Sequence, residues 1–129
     1  MLDDAARARQ RESKLLRDHG LMCGAVYLAG YVVECKLKAL LQKSGKSFPR
    51  SGAEGHNLRG LWDAAGLRSR DLSGHKREFL DLWTTSLRYD AALPEGSSAE
   101  DLLHGAQELA SMVTLRIRYA RPGNRGVRR

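Results

Sequence analysis

The segment from residue 21 to residue 43 constrains the fold more than any other part of the chain. On a helix that turns by about 100° per residue, its apolar side chains divide into two separate flanks. A helix that is apolar on both flanks has to be covered from two sides, so the segment predicts the central helix of an all-helical domain. One flank carries Leu28, Val32, Cys35 and Ala39, and the other carries Val26, Val33, Leu37 and Leu40.

A narrow polar stripe runs between the two flanks and consists of Tyr27, Tyr31, Glu34 and Lys38. Glu34 precedes Lys38 by four residues, the spacing and order that favour an ion pair on a helix. On an exposed face such a pair is worth only about 0.3–0.5 kcal/mol. On a central helix, desolvating both charges costs several kcal/mol unless further polar partners are present. Two interpretations follow: a satisfied polar seam between helices, or a groove for a charged ligand.

The rest of the chain also has the pattern of helices separated by turns. No segment has the two-residue alternation typical of strands. The sequence therefore predicts an all-α fold, an antiparallel up-and-down helical bundle with four long helices and one short helix, over residues 1–120. The long helices are expected at 3–18, 21–43, 73–89 and from about 98 to 119, the short one at 57–66, a loop at 44–55, and a disordered basic tail at 121–129.

Charge and cysteine content limit the class of protein. The net charge is +7, but no acidic residue follows Glu108, and the six arginines beyond it account for +6, so the basicity belongs to the tail. Cys23 and Cys35 are 12 residues apart, roughly 18 Å along one helix, whereas a disulfide needs Cα atoms within about 7 Å. Reduced cysteines predict a cytoplasmic protein.

Patterns for a membrane span, a metal and a cofactor are missing from the sequence. The most apolar window is interrupted by Gly24, Gly30, Glu34, Lys36 and Lys38, so no transmembrane helix is expected. The four histidines are scattered, and neither CxxC nor HExxH spacing occurs. No glycine-rich loop follows a predicted strand. We therefore expect no membrane partner, no metal site and no cofactor.

Three stretches in order carry a resemblance to a known family. They read YLAGYVVECKLKALL, then GHNLRGL, then LWTTSLRY. The most specific part is the pattern acid-x-x-x-Lys-Ala-Leu, which runs from Glu34 to Leu40, followed by Gly55-His56-x-Leu58 at the start of the short helix. Together they resemble the HEPN domain (higher eukaryotes and prokaryotes nucleotide-binding), over roughly residues 3–119.

The resemblance implies a helical bundle that pairs as a homodimer and binds a nucleotide or RNA. Relatives include RNA-cleaving toxins of toxin–antitoxin systems and proteins that act beside a separate nucleotidyltransferase. Arg88 either caps the carbonyls at a helix end or, with Tyr89 and Lys38, holds phosphate. His56 either forms a hydrogen bond at the helix start or contacts ligand. Both tryptophans are interpreted as core. The predicted binding residues are Tyr27, Tyr31, Glu34, Lys38, His56, Arg88 and Tyr89.

Catalytic members of the resembled family carry Arg-x(4–6)-His. Arg50 to His56 and Arg70 to His75 match this spacing, but so many arginines give such matches by chance. Arg88, the best-placed arginine, has no histidine at the required distance, so the usual proton-transfer group is missing. We predict a binding module that is not an efficient nuclease. The alternatives are a metal-independent ribonuclease that uses Arg70 and His75 or Arg50 and His56, and a scaffold that only dimerises.

Overall fold

A computed structural model describes residues 1–49, 55–85, 87 and 92–122 of the chain. These residues form helices and no strand, and the predicted all-α bundle is confirmed. Arg50, Arg88, Tyr89 and residues 123–129 lie outside the described residues. The helices are α1 (Leu2–Asp18), α2 (Met22–Lys43), α3 (Leu58–Ala64), a 3₁₀ helix (Ser69–Asp71), α4 (Gly74–Leu82) and α5 (Ala99–Tyr119).

Helix α2 is central, as its two apolar flanks predict. It packs against both α1 and α5. The Ser13 hydroxyl of α1 donates to the Ala25 carbonyl at 2.7 Å, and Lys36 Nζ donates to Thr114 Oγ1 of α5 at 2.9 Å. Burying each large apolar side chain contributes about 1.5–3 kcal/mol. The fully buried side chains include Val26, Val33, Leu37, Leu41, Trp62, Phe79, Leu102 and Leu109.

The helix ends follow local sequence signals. The Asn57 side chain accepts a hydrogen bond from Gly60 N at 3.1 Å, and the Ser98 hydroxyl accepts one from Asp101 N at 3.3 Å. Both are N-cap bonds, which satisfy amides that have no partner inside the helix. Helix α2 ends before Gly45, whose φ of +73° suits glycine because it has no Cβ.

The helix predicted over residues 73–89 is shorter in the structure, because α4 ends at Leu82. Trp83 has an extended backbone with φ −69° and ψ 127°. Its indole Nε1 donates to the Tyr27 carbonyl at 2.9 Å, and its ring lies against Gly30. Docking this ring on α2 requires the chain to leave the helix, and the β-branched Thr84 and Thr85 that follow favour helix weakly. The long helices are thus α1, α2 and α5, and α4 has nine residues.

Candidate functional site

The polar stripe of α2 is an interior feature. The side chains of Glu34 and Lys38 are each 6% exposed, and Lys38 Nζ lies 2.9 Å from Glu34 Oε2. The helix brings the two groups together because residues four apart lie on one face. Removed from water, each charge depends on the other and on further polar partners.

His56 supplies a further partner for Glu34. Its Nδ1 lies 2.8 Å from Glu34 Oε1, while the other carboxylate oxygen binds Lys38. The imidazole comes from the turn before α3 and its side chain is 28% exposed. Because a carboxylate accepts hydrogen bonds, Nδ1 carries the proton of this bond. In the neutral ring the second nitrogen, Nε2, is then an acceptor, and in the charged ring it is a donor.

Three aromatic rings pack beside the charged groups. The hydroxyl of Tyr27 donates to that of Tyr31 at 3.1 Å. Trp83 is stacked with Tyr27 at a centroid distance of 6.4 Å and meets Tyr31 edge-on at 5.5 Å. Tyr31 also meets the His56 ring edge-on at 5.7 Å. Tyr31 covers one side of the imidazole and restricts its orientation.

A cleft of about 290 Å³ opens beside this cluster, and we call it the His56 cleft. It can offer ligands an imidazole, an amide, a guanidinium and two hydroxyl groups. Its volume is just below the range of about 300–1,000 Å³ for small-molecule sites. Its lining residues are His56, Asn57, Leu58, Arg59, Leu80, Trp83, Thr84 and Thr85.

Five of the seven predicted binding residues come together in the structure: Tyr27, Tyr31, Glu34, Lys38 and His56. The pairing of Glu34 with His56 was missed from the sequence, because a loop of unknown path separates the two residues. The other two predicted residues, at positions 88 and 89, are among those outside the described part of the chain.

The alternative catalytic pair has a different setting. Arg70 is exposed in the 3₁₀ helix. His75 lies near two carboxylates, with Nδ1 3.7 Å from Glu78 Oε1 and Nε2 3.7 Å from Asp101 Oδ1. Arg70 and His75 both lie in the described part of the chain, and no hydrogen bond, ion pair or ring contact joins them.

Sequence reasoning missed the role of Trp83 and the threonines that follow it. Trp83 is a core residue, 4% exposed, as expected, but it also contacts both tyrosines and lines the His56 cleft. The available signal was Gly30, a residue without a side chain in an otherwise apolar helix. A Cβ at Gly30 would overlap the Trp83 indole, so the glycine marks where the ring docks.

Cys35 lies on α2 beside Glu34, and burial raises the pKa of its thiol above the ordinary value, with the Glu34 charge adding to the effect. No disulfide joins the two cysteines.

In the described ranges, no group of three His, Cys, Asp or Glu residues is arranged to hold a metal ion. None of the described helices combines the length and apolarity needed to cross a membrane.

Comparison with known proteins identifies a family. The model of the HEPN domain matches residues 2–117, which is nearly the whole chain and includes α1 to α4 and all but the last two residues of α5. The searches of curated proteins and of solved structures gave no match. The match covers the polar stripe of α2, His56 and Trp83. The chain therefore belongs to the HEPN domain family, whose members are nucleotide- and RNA-related helical modules.

Proposed function

We propose that this HEPN domain is a nucleotide- or RNA-binding module and not an efficient nuclease. The ligand lies in the His56 cleft, next to the buried pair of Glu34 and Lys38. Tyr27 and Tyr31 support the site from α2. Arg88 and Tyr89, which the sequence predicts as further ligand contacts, remain part of the proposal.

The bond between Glu34 and His56 carries the proposal. Lys38 already balances the charge of Glu34, so an ion pair that served only the fold would not require a partly exposed imidazole. His56 instead has one nitrogen on a buried carboxylate while its side chain lines the cleft. A carboxylate on Nδ1 fixes the orientation of the ring and leaves the other ring nitrogen available to a ligand in the cleft.

The other cleft residues suit a phosphate. Asn57 uses its side-chain oxygen to accept from Gly60 N, which leaves its NH₂ group as the donor. Arg59 contributes a guanidinium that also forms an ion pair with Asp81. Thr84 and Thr85 add hydroxyl groups. Donors of this kind match the acceptor oxygens of phosphate.

We also propose that the protein forms a homodimer and works with a separate nucleotidyltransferase. Support for the dimer comes from the family, since HEPN domains often dimerise, and the nucleotidyltransferase is proposed from the resemblance to proteins that act beside one. A mixing experiment with a nucleotidyltransferase encoded next to this protein, followed by measurement of the molar mass of the complex, tests the partner. Measurement of the molar mass of the protein alone tests the dimer, which predicts twice the mass of one chain.

Ribonuclease activity is the second candidate, and the hydrogen bond from His56 to Glu34 is the observation that favours it. A carboxylate on Nδ1 holds the neutral ring with its lone pair on Nε2, the form that accepts a proton. Arg50, the spacing partner of His56, lies outside the described residues. His75 is a weaker candidate for the base, because both of its nitrogens face carboxylates.

One assay distinguishes binding from cleavage. Purified protein is incubated with end-labelled single-stranded RNA in EDTA, and both retention on a filter and chain length on a gel are measured. We expect retention without cleavage. The variant His56→Gln should weaken retention about tenfold, the value for one charge-assisted hydrogen bond, and added salt should weaken it further.

His75→Gln is the matched control, because it changes the same residue type at an exposed site. It should retain RNA as the wild type does. Cleavage that is lost in His56→Gln would instead support the ribonuclease. Neither retention nor cleavage in the wild type would support the scaffold and contradict the proposed function.

A further inference from the structure

A second and larger concavity lies between α1, α2 and α5, with a volume of about 410 Å³. We call it the helix groove and define it by Ser13 and Lys14 of α1, Val32 and Lys36 of α2, and Ala106 and Ala110 of α5. It shares no lining residue with the His56 cleft. Nothing in the proposed nucleotide function uses it.

The three helices face the groove with the same residue spacing. On each helix, the lining positions recur after three or four residues and again after seven. That spacing is typical of the seam between packed helices in a bundle. These positions include Gln10, Ser13 and Arg17 on α1, Ala29, Val32 and Lys36 on α2, and Leu103, Ala106 and Ala110 on α5.

The shape of the groove suits a helix. Among its buried lining residues are Ala29 and Ala106, whose small side chains form its floor, and small residues allow helix axes to approach to about 8–10 Å. The α5 lining extends from Leu103 to Thr114, or roughly 16 Å at 1.5 Å per residue. An added helix of three turns would contact all three helices.

The charge of the residues around the groove indicates which kind of helix would bind there. Lys14, Arg17 and Lys36 line it against a single acid, Asp18, which gives +3 − 1 = +2. Arg17 also binds Glu100 at 2.7 Å, but both side chains are about half exposed and remain accessible. The groove, with its apolar floor and cationic side chains, complements a helix that has an apolar stripe between acidic edges.

We propose that the helix groove binds an acidic amphipathic helix of a partner protein. A second copy that docks through the same groove fits less well, because the pairing would bring together Lys14, Arg17 and Lys36 of both copies. A nucleic acid fits less well too, because the small apolar floor offers its phosphates no partner. The inference is independent of the nucleotide proposal, since it involves other residues.

The probe is a synthetic peptide of about 20 residues, long enough to sample a helix in water. It carries alanine and leucine on one face and glutamate on the edges. A second peptide has lysine in place of each glutamate. Fluorescence anisotropy measures binding to the full chain, and amide chemical shifts locate it. We expect saturable binding of the acidic peptide alone, with shifts concentrated at Ser13, Val32, Ala106 and Ala110.

Two variants test the location. Lys14→Glu should weaken binding about fivefold by reversing an edge charge. Arg11→Glu is its matched control, an equal charge change at an exposed position of α1 that does not line the groove, and it should leave binding unchanged. Ala110→Leu, which fills the groove, should abolish binding, with circular dichroism confirming that the variant folds.

Each contrary result overturns the proposal. An equal loss of peptide binding in Lys14→Glu and Arg11→Glu would indicate non-specific attraction of the peptide to a basic protein. Equal binding of both peptides, or no binding of the acidic peptide at millimolar concentration, would exclude a charge-selected helix. A dimer that Ala110→Leu converts to a monomer would identify a second copy as the occupant.

Discussion

His56 Nδ1 lies 2.8 Å from Glu34 Oε1, so a residue of the turn before α3 is held by a carboxylate inside α2. The same carboxylate binds Lys38 through its other oxygen. This relationship connects the stability of the bundle to the geometry of the His56 cleft, because the group that orients the imidazole is also half of a buried ion pair.

Loss of one partner of the buried pair should destabilise the protein far more than loss of both partners. Lys38→Met leaves the Glu34 carboxylate buried without its cation, and we expect the free energy of unfolding to fall by about 3 kcal/mol or more. The double variant Glu34→Leu/Lys38→Met removes both charges and should recover most of that loss. Urea unfolding followed by circular dichroism measures each value.

A surface ion pair is the control for this prediction. Arg7 and Asp3 lie 2.9 Å apart with side chains about two-thirds exposed, so Arg7→Met should cost less than about 0.5 kcal/mol. A double variant less stable than Lys38→Met would contradict the interpretation of the pair as mutually compensating charges.

Gly30 should not tolerate even a methyl group. In Gly30→Ala the new Cβ meets the Trp83 indole, and overpacking of this kind costs about 1–3 kcal/mol. Displacing the ring should also shift tryptophan fluorescence to longer wavelength. Thermal unfolding and emission spectra measure the two effects.

Gly24→Ala is the matched substitution in the same helix. Its Cβ meets only the end of the flexible Leu16 side chain, at 3.1 Å, and alanine favours helix over glycine. We expect stability equal to or above that of the wild type. If Gly30→Ala were equally harmless, Trp83 would not be docked on α2 as described.

Helix geometry explains why the part of the candidate site that lies on α2 could be predicted. Once residues 21–43 are assigned to one helix, the fixed rotation per residue places Tyr27, Tyr31, Glu34 and Lys38 on one stripe, whatever the rest of the chain does. Apolar flanks on both sides of that stripe predict burial. In the structure each charged side chain is 6% exposed, and Lys38 Nζ lies 2.9 Å from Glu34 Oε2.

Contacts between distant segments could not be predicted in the same way. His56 follows a loop, and periodicity does not determine where a loop leads. The helix over 73–89 was predicted too long because Leu87, which is buried, continues the apolar spacing. The docking of Trp83 against Gly30 ends that helix at Leu82 instead, and this tertiary contact outweighs the local pattern.

The Cys35 thiol should be slow to react at neutral pH. Burial, with the Glu34 charge adding to it, raises the pKa of Cys35 above its ordinary value of 9.0, and only the thiolate is nucleophilic. In a Cys23→Ala variant, the rate of alkylation by iodoacetamide should be lower than in the same protein unfolded in urea. The rate for the folded protein should rise at higher pH than the rate for the unfolded protein.

The raised pKa of Cys35 also predicts how this thiol affects stability. The folded state holds the proton more tightly, so the contribution to stability is complete below the ordinary pKa of 9.0 and is lost as pH rises through the folded-state pKa. Cys35→Ala should remove that part of the alkaline decline in unfolding free energy. Identical decline in both proteins would contradict the assigned shift.

The most direct test of the proposed site is a titration with adenosine monophosphate, followed by the ring ¹⁵N resonances of the histidines. The chain supplies its own controls, since His19, His75 and His104 lie away from the His56 cleft. We expect saturable shifts of His56 alone, strongest at Nε2, and much smaller shifts with adenosine, which lacks the phosphate. Saturable shifts at His75 in place of His56, or no shift at His56 at saturating nucleotide, would contradict nucleotide binding in this cleft.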